Sequence, residues 1–359
     1  MSRRVFLHIG APKSGTSFLQ DRFAANRDLL AEQGLTYPAT RADNHFEAAL
    51  DLIERPWAGE LEKARGQWDA LVAAAAKAKG DVLISHEILA AATPEQIERA
   101  RMGFVGDEWH VIYTMRDLGR QLPAEWQEMV KHRSAMRFRG FMKKVQAQPP
   151  ASSDFWFWRV QSLPDVLTRW GKDVDPAHIH LVTVPPPGGP GGALWERFCS
   201  VVGLDPDLDY DDAGTTNASI GVPEVAALRR LNQLLRAEGV SRDVYVPKVR
   251  ELIVREVFSR RDTDTAKVPD EWHDYVDEIA DGWVEWIEGS GVDVVGDVND
   301  LVPQWGDEPV PHPDRPNHRE VAEAAIEALA AVLADLDQQP SVQIDPPKSI
   351  KNLARKLRP

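Results

Sequence analysis

The sequence of 359 residues has little cysteine and no long hydrophobic run. Its single cysteine, Cys199, cannot form an intramolecular disulfide, which is typical of proteins from a reducing compartment. The most apolar long window, residues 324–334, is interrupted by Glu327 and is too short to cross a bilayer. Residues 1–10 carry positive charge but only a brief apolar stretch, so we expect no signal peptide. These absences predict a soluble, cytoplasmic protein without a transmembrane segment.

Positive charge is also scarce in this chain. The 42 Lys and Arg residues stand against 56 Asp and Glu residues, which gives a formal net charge of −14. Contacts to nucleic-acid phosphates need a surplus of Lys and Arg, so the composition predicts no nucleic-acid partner. An anionic ligand must therefore be held by a local basic site. Hydrophobic residues make up 43% of the chain, which is enough for a sizeable core and excludes wholesale disorder.

The first half of the chain alternates strand-like and helix-like segments. Short apolar runs rich in β-forming residues lie at residues 5–9, 81–84, 110–115 and 180–184. Helix-like segments lie between them, and the first is predicted to run from Ser17 to Gln33 and to end at Gly34. Strands separated by helices pair in parallel through crossover connections. The pattern predicts an α/β fold in which a parallel sheet is flanked by helices in three layers. Its ligands should bind at the carboxyl ends of the strands.

The second half of the chain is predicted to be helical. Strand signals fade after about residue 215, and helical spacing follows Pro223 and recurs over residues 272–287. We expect four parts: an α/β core over residues 1–215, a helical part over 216–310 that completes the same domain, a C-terminal helix over 311–337, and a linker with a basic tail over 338–359. The basic tail is typical of a solvated chain end.

The loop after the first strand carries the most specific signal in the sequence. The segment GAPKSGTS, residues 10–17, follows a strand and opens a helix. In that setting main-chain N–H groups and the helix dipole favour an anion. Gly15 allows a close approach, Thr16 and Ser17 add hydroxyl groups, and Lys13 adds a positive charge. An ordinary turn with a capping residue explains Ser17, but it does not explain Lys13 beside Gly15.

The order of residues in this loop differs from that of a Walker A loop. A Walker A loop needs a Lys directly after its second Gly, whereas Lys13 lies two residues before Gly15. The order PKSGTS, within residues 6–20, resembles the 5′-phosphosulfate loop of bacterial sulfotransferases that use 3′-phosphoadenosine 5′-phosphosulfate (PAPS). The resemblance implies a P-loop-like fold with PAPS as co-substrate. The loop residues that it implies for binding are Lys13, Ser14, Gly15, Thr16 and Ser17.

A second segment matches the same family. These sulfotransferases carry an Arg at the end of a later strand, and a Ser eight residues on, to hold the 3′-phosphate. Arg116 ends the third predicted strand and matches that placement, and its planar guanidinium suits a phosphate. Eight residues after Arg116 stands Ala124, whose side chain cannot donate a hydrogen bond. The residues that we consider as replacement donors are Arg120, Gln127 and Lys131.

Two weaker signals accompany these motifs. Residues 116–144 contain eight Lys or Arg and only three Asp or Glu, a local positive excess that suits a polyanion. A solvated basic helix is the alternative. The segment around Asn217 and Ser219 looks similar to related bacterial sequences and would close over the nucleotide. Ser219 equally suits a helix cap or a turn.

The resemblance implies transfer of a sulfuryl group from PAPS to a hydroxyl or amine. Lys13 would then stabilise the charge that builds on the bridging oxygen as the bond breaks. An acceptor hydroxyl needs a general base. Glu87 is the first choice because it follows the second buried strand, and His45 and His86 are the other candidates, although either histidine suits a structural role. The acceptor stays open among carbohydrates, glycolipids, amines and small phenols, and so does the oligomeric state.

Two alternative functions remain at this point. One is a P-loop kinase or nucleotidase that uses ATP and Mg²⁺, although the position of Lys13 argues against it. The other is a relative that binds a nucleotide without turnover, which Ala124 keeps open. The resemblance requires no metal, and the ten histidines show no convincing metal-ligand spacing.

Overall fold

The structure is a computed structural model, and it divides into two compact units. It describes residues 2–39, 45–56, 60–148, 155–189, 191–212, 219–306 and 311–338. The first unit comprises Met1–Ser219 and Thr265–Arg315, and the second comprises Ile220–Asp264 and Pro316–Pro359. The domain boundaries expected from the sequence, at residues 215, 310 and 337, stay a prediction. Beyond Gln338, the expected linker and basic tail lie outside the described residues.

The first unit contains a six-stranded sheet in which all paired strands are parallel. Its strands are β1 (Arg4–His8), β2 (Leu35–Thr36), β3 (Asp81–Ser85), β4 (Glu108–Met115), β5 (Ile179–Thr183) and β6 (Asp293–Val295). This confirms the predicted α/β class. The four predicted strands are present, each within two residues of its expected ends. The sequence missed β2 and β6, because two or three residues are too few for a periodic signal.

The order of the strands determines which strand ends lie next to the loop after β1. The strand order along the sheet is β2-β3-β1-β4-β5-β6. Strands β2 and β3 therefore lie on one side of β1, and β4 lies on the other side. Such a reversal opens a crevice at the carboxyl ends of the strands involved. Leu7, in the middle of β1, lies beside Ile84 and Val111, and all three are fully buried. The sheet is therefore fully buried where these three strands pair.

The helices of the first unit flank this sheet. They are α1 (Thr16–Ala25), α2 (Arg27–Glu32), α3 (Phe46–Ile53), α4 (Leu61–Ala64), α5 (Gln67–Ala75), α6 (Pro94–Met102), α7 (Leu118–Lys131), α8 (Phe138–Ala147), α9 (Trp156–Gln161), α10 (Leu163–Trp170), α11 (Ala193–Val202) and α14 (His273–Ser290). Those of the second unit are α12 (Val222–Ala237), α13 (Arg242–Tyr245), the π-helix Val246–Val257 and α15 (His318–Gln338). Short 3₁₀ turns occupy Glu87–Ala91, Pro176–His178, Phe258–Arg260, Asp270–Trp272 and Val298–Leu301.

One predicted helix is divided in the structure. Helical spacing runs from Ser17 to Gln33, but α1 ends at Ala25 and α2 begins at Arg27. Asn26 lies between them with a non-helical φ of −113°, and its side-chain amide donates to the carbonyl of Arg22 at 2.8 Å. A short amide side chain competes with the helix for main-chain partners, and this explains the break.

An aromatic cluster forms the core on one side of the sheet. Phe23 lies against Trp195 and Phe198, with ring centroids 5.7 and 5.2 Å apart. Cys199 is fully buried in the same cluster, and burial raises the pKa of its thiol to about 12. The thiol is therefore neutral at physiological pH and serves as core.

The second unit contains a buried carboxylate in α12. Glu224 is fully buried, and it accepts hydrogen bonds from Arg261 at 2.5 Å and from Thr263 at 2.6 Å. Arg261 also pairs with Glu327, the acidic residue that interrupts the apolar window of the sequence. A buried carboxylate is stable only with such partners.

Across the described residues, every helix is too short or too polar to span a bilayer.

Candidate active site

The loop after β1 is fixed to β4 by a buried set of hydrogen bonds. The Ala11 N–H donates to the carbonyl of Thr114 at 2.6 Å, and the Thr114 hydroxyl donates to the carbonyl of Gly10 at 3.0 Å. The Ser14 hydroxyl donates to the Ala11 carbonyl at 2.6 Å and lies 2.5 Å from the Thr114 hydroxyl. Ser14 is 1% exposed. Its side chain therefore fixes the shape of the loop from inside.

The outer part of the loop turns sharply into α1. Lys13 and Gly15 both have left-handed backbones, with φ values of 66° and 87°. A Cβ atom at Gly15 would lie 2.4 Å from the Leu194 side chain, so both the φ value and the space favour glycine. Within the described residues, the N–H groups of Gly15 and Thr16 donate to no protein atom. These groups and the positive end of α1 can receive an anion.

Lys13 is held by a carboxylate on α7. Its Nζ lies 2.6 Å from Glu128 Oε2, and His132 Nε2 lies 3.0 Å from the other oxygen of Glu128. Burial by itself would raise the pKa of Glu128, but the hydrogen bond from His132 and the charge of Lys13 hold that pKa far below its ordinary range. Glu128 is therefore ionised, and it fixes the Lys13 ammonium at the carboxyl edge of the sheet.

Arg116 is connected to the same loop through Gln121. Arg116 Nε donates to Gln121 Oε1 at 2.7 Å, and the Gln121 amide donates to the carbonyl of Pro12. A second nitrogen of Arg116 donates to the Arg120 carbonyl at 3.1 Å. Burial lowers the pKa of Arg116 to about 10, which still leaves it protonated at neutral pH. Lys13 and Arg116 are thus both bound to residues of α7.

Ala124 stands where the resemblance implies a serine. The residues considered as replacement donors, Arg120, Gln127 and Lys131, differ in their contacts. The Arg120 guanidinium donates to the carbonyls of residues 184 and 185, at 3.1 and 2.9 Å, and so ties α7 to the end of β5. Gln127 is buried on α7, and Lys131 ends that helix. Arg120 therefore has a structural role. Whether Gln127 or Lys131 replaces the serine stays a prediction.

A buried carboxylate that the sequence analysis missed lies in the same place. Glu125, on α7, is 4% exposed and accepts a hydrogen bond from Gln161 Nε2 at 2.9 Å. Gln161 also donates to the carbonyl of Pro12 at 3.0 Å. Burial raises the pKa of Glu125 to about 7, although the positive charge of Lys13 acts in the opposite direction. The site therefore holds a group that exchanges a proton near neutral pH.

A helical pattern in the sequence contains the signal that could have identified these groups. Gln121, Glu125 and Glu128 stand at positions i, i+4 and i+7, which lie on one face of a helix. A polar face of this kind directly after Arg116 is the feature to search for. Gln161 carries no such signal, because only folding brings α9 to the loop.

The raised pKa of Glu125 predicts a dependence of stability on pH. A carboxyl that holds its proton more tightly when folded stabilises less as pH rises from the ordinary value of 4.5 to about 7. We expect Glu125→Gln to remove this loss, so that the variant gains about 2 kcal/mol relative to wild type between pH 5 and pH 7. Denaturant unfolding at pH 5 and pH 7 measures the difference. If the free energy of unfolding changed equally with pH in the two proteins, the raised pKa of Glu125 would be contradicted.

Glu87 lies beside the loop, at the end of β3. A Cβ atom on Gly10 would lie 3.2 Å from the Glu87 carbonyl oxygen, so the two main chains are in close contact. The Glu87 carboxylate accepts a hydrogen bond from Gln20 at 2.8 Å, and the side chain is 23% exposed. Burial would raise the pKa of Glu87, but His86, Gln20 and Lys13 together lower it. Glu87 is therefore ionised at neutral pH and partly accessible.

Both candidate histidines have structural contacts. His45 Nε2 donates to the Pro38 carbonyl at 2.9 Å, and His45 Nδ1 accepts from the Ser85 N–H at 3.1 Å. Burial lowers the pKa of His45 to about 4. His86 Nδ1 accepts a main-chain N–H of the turn that follows it at 3.3 Å, and burial lowers its pKa too. Of the three candidates, Glu87 keeps the most accessible side chain.

Ser219 is the last residue of the first segment of the first unit, and it is exposed. Its neighbour Asn217 lies outside the described residues. The hydrogen bonds of the described residues do not connect Ser219 to the loop. Its role in nucleotide binding stays a prediction.

The fold and this site define an α/β chain with a loop that opens α1, two cations and three carboxylates at one edge of a parallel sheet. No protein-family model and no curated protein matches the chain. A sulfotransferase from Alicyclobacillus acidocaldarius, known from its crystal structure, is similar with a TM-score of 0.41 at 15% sequence identity. The match covers 68% of this chain and 99% of that one. A likeness of this size does not carry a function from one chain to the other.

Proposed function

We propose that this chain is a sulfotransferase that moves a sulfuryl group from PAPS to a hydroxyl or amine of a small acceptor. The observation that carries the proposal is the attachment of both Lys13 and Arg116 to α7, next to the loop that opens α1. PAPS has a phosphosulfate at one end and a 3′-phosphate at the other. Two separate cations that belong to one site suit such a ligand.

The loop residues fit the phosphosulfate end. The N–H groups of Gly15 and Thr16 lie at the positive end of α1, and the absence of a Cβ at Gly15 makes room for the Leu194 side chain at this turn. Lys13 would stabilise the negative charge that develops when the sulfuryl group leaves. PAPS, when bound, supplies the sulfuryl group and a phosphate leaving group. The loop would position the phosphosulfate, and Lys13 would supply the positive charge.

Glu87 would take the proton from the acceptor. Its carboxylate is ionised, partly exposed and within the electrostatic influence of Lys13. A base in this position must be unprotonated before the reaction and must reach the acceptor. His45 is neutral at physiological pH, but it is buried and both of its ring nitrogens are bonded to the main chain, so it does not reach an acceptor. The acceptor class, the cytoplasmic location and the independence from metals stay predictions.

Calorimetric titration with 3′,5′-bisphosphorylated adenosine tests the nucleotide. We expect it to bind without metal, and more tightly than ADP or ATP. Binding of ATP that requires Mg²⁺ would instead support a kinase or nucleotidase. An acceptor screen with labelled PAPS then tests turnover. Retained nucleotide binding with no transfer to carbohydrate, glycolipid, amine or phenol acceptors would support a relative without activity.

Arg116→Ala tests recognition of the 3′-phosphate. We expect affinity for 3′,5′-bisphosphorylated adenosine to fall about 10- to 100-fold, because a charge-assisted hydrogen bond is lost. The affinity for ADP, which lacks that phosphate, should change far less. Arg139→Ala, which removes an exposed arginine of α8, is the control. Equal losses for both nucleotides would show that Arg116 does not contact the 3′-phosphate.

A further inference from the structure

Several histidines meet at the edge of the sheet opposite to the loop. Glu108 and His110 belong to the first residues of β4, His178 ends the short turn before β5, and His180 is the second residue of β5. The register places His180 beside Asp293, the first residue of β6. This group lies at the amino-terminal ends of the strands. The proposed transfer reaction uses none of its members.

The hydrogen bonds of this group fix where its protons lie. His180 Nδ1 is 2.7 Å from Asp293 Oδ2, and an ionised carboxylate only accepts, so this nitrogen carries a hydrogen. In a neutral imidazole the other nitrogen then accepts. His110 Nδ1 lies 2.9 Å from His180 Nε2 and therefore donates to it. The single N–H hydrogen of a neutral His110 ring is therefore on Nδ1, where it is donated to His180.

The other side of His110 faces a second acceptor. Its Nε2 lies 2.9 Å from Glu108 Oε1, so that two lone pairs point at each other. His110 is 6% exposed, which limits the access of water to this contact. The arrangement needs a cation between the nitrogen and the carboxylate. That cation is either an additional proton or a metal ion.

His178 provides a third ligand for a metal ion. Its ring stacks on that of His110 with centroids 4.2 Å apart, and the ligand atoms of Glu108, His110 and His178 all lie within 4.8 Å of one another. Ligand atoms around tetrahedral zinc stand about 3.4 Å apart, given bonds of about 2.1 Å. The Glu108 side chain is 40% exposed and His178 is partly exposed, so both have room to adjust.

We propose that Glu108, His110 and His178 bind one zinc ion at this edge of the sheet. Two nitrogens and one carboxylate oxygen, with a water in the fourth position, are a ligand set that zinc takes. His180 and Asp293 orient the ring of His110 through its Nδ1–H, as groups behind metal ligands commonly do. A cavity of about 330 Å³, lined by His178 together with Arg101, Asp173 and Asp175, lies beside one of the three ligands.

Calorimetric titration of the full-length chain with zinc chloride tests this site. We expect one zinc ion per chain, and a rise in the thermal unfolding midpoint with zinc concentration, because a ligand that binds the folded state stabilises it. Cobalt(II) in place of zinc should give the visible absorption of a four-coordinate site. These readouts do not depend on sulfuryl transfer or on PAPS. A chain that binds no zinc would overturn the proposal and leave the additional proton between Glu108 and His110.

Two variants assign the binding to these residues. Glu108→Gln and His178→Ala each remove a partly exposed ligand, and we expect each to weaken zinc binding at least tenfold. His318→Ala removes an exposed histidine of α15 and should leave zinc binding unchanged. Zinc binding that survives both ligand variants at wild-type strength would place the ion elsewhere and overturn the proposal.

Discussion

Replacing Lys13 by alanine is expected to lower the rate of sulfuryl transfer by about 100- to 1,000-fold, with the fold intact. The Lys13 side chain is 28% exposed and stands at the opening of α1, where the leaving phosphate would develop its charge. Its stabilising effect is larger in the transition state than in the ground state, so the loss should fall mainly on kcat. Turnover with labelled PAPS, followed at saturating nucleotide, measures it.

The same variant changes the electrostatics around α7 in a way that can be checked. Lys13 lowers the pKa of Glu125, whereas Glu128 raises it, so removing the ammonium should move the pKa of Glu125 above about 7. The stability profile between pH 5 and pH 8 reports this shift independently of turnover. Lys63→Ala, on α4, removes a lysine that pairs with Glu60 and serves as the control. Unchanged turnover after Lys13→Ala would remove Lys13 from the mechanism and leave the proposed function without its main support.

The sequence predicted the strands that carry a continuous apolar signal and missed those that do not. β1, β3, β4 and β5 contain buried runs that stand out from their surroundings. β2 and β6 contribute only two and three residues to the sheet edges, where pairing with a neighbour, not local pattern, decides the structure. Asn26 broke a helix that apolar spacing alone makes continuous, because its side chain bonds to the main chain.

The sequence predicted the loop and the position of Arg116, but it did not predict which partners the side chains of the loop contact. Ser14 belongs to the loop motif, yet Thr114 of β4 draws its hydroxyl inward. That contact joins residues a hundred positions apart, so no local pattern contains it. Glu128, similarly, meets Lys13 only because α7 packs beside the loop. The residue types follow from the motif, whereas their partners follow from the order of the strands.

The proposed anion site lies in a chain that is acidic overall. The chain as a whole carries −14, but Lys13 and Arg116 are fixed at one edge by hydrogen bonds and an ion pair. Fixed cations lose less side-chain entropy on binding than mobile ones. Buried Glu125, with its pKa near 7, is partly neutral at physiological pH and so repels an incoming anion less than a full carboxylate would. At this edge the two cations therefore balance ionised Glu87 and Glu128, although the chain as a whole is acidic.

Replacing Glu87 by glutamine is expected to lower transfer by about 100- to 10,000-fold while nucleotide affinity stays close to wild type. Glutamine keeps the shape and the oxygen that accepts from Gln20, and it removes the charge that takes the proton. The pKa of Glu87 is lowered, so wild-type activity should persist as pH falls below the ordinary glutamate value and disappear only when the carboxylate gains its proton. The variant should lack this acidic limb. Rates from pH 3 to pH 8, at saturating PAPS, measure both effects.

The histidines provide the sharpest control for this assignment. His86→Asn keeps a polar group at the start of the short turn, and it should cost far less activity than Glu87→Gln if the carboxylate is the base. Glu98→Gln, which neutralises an exposed carboxylate of α6, should cost nothing. Burial lowers the pKa of both His45 and His86, so a base among them would give an acidic limb of its own. Full turnover in Glu87→Gln, with loss in His86→Asn or a His45 variant, would transfer the role of base to a histidine.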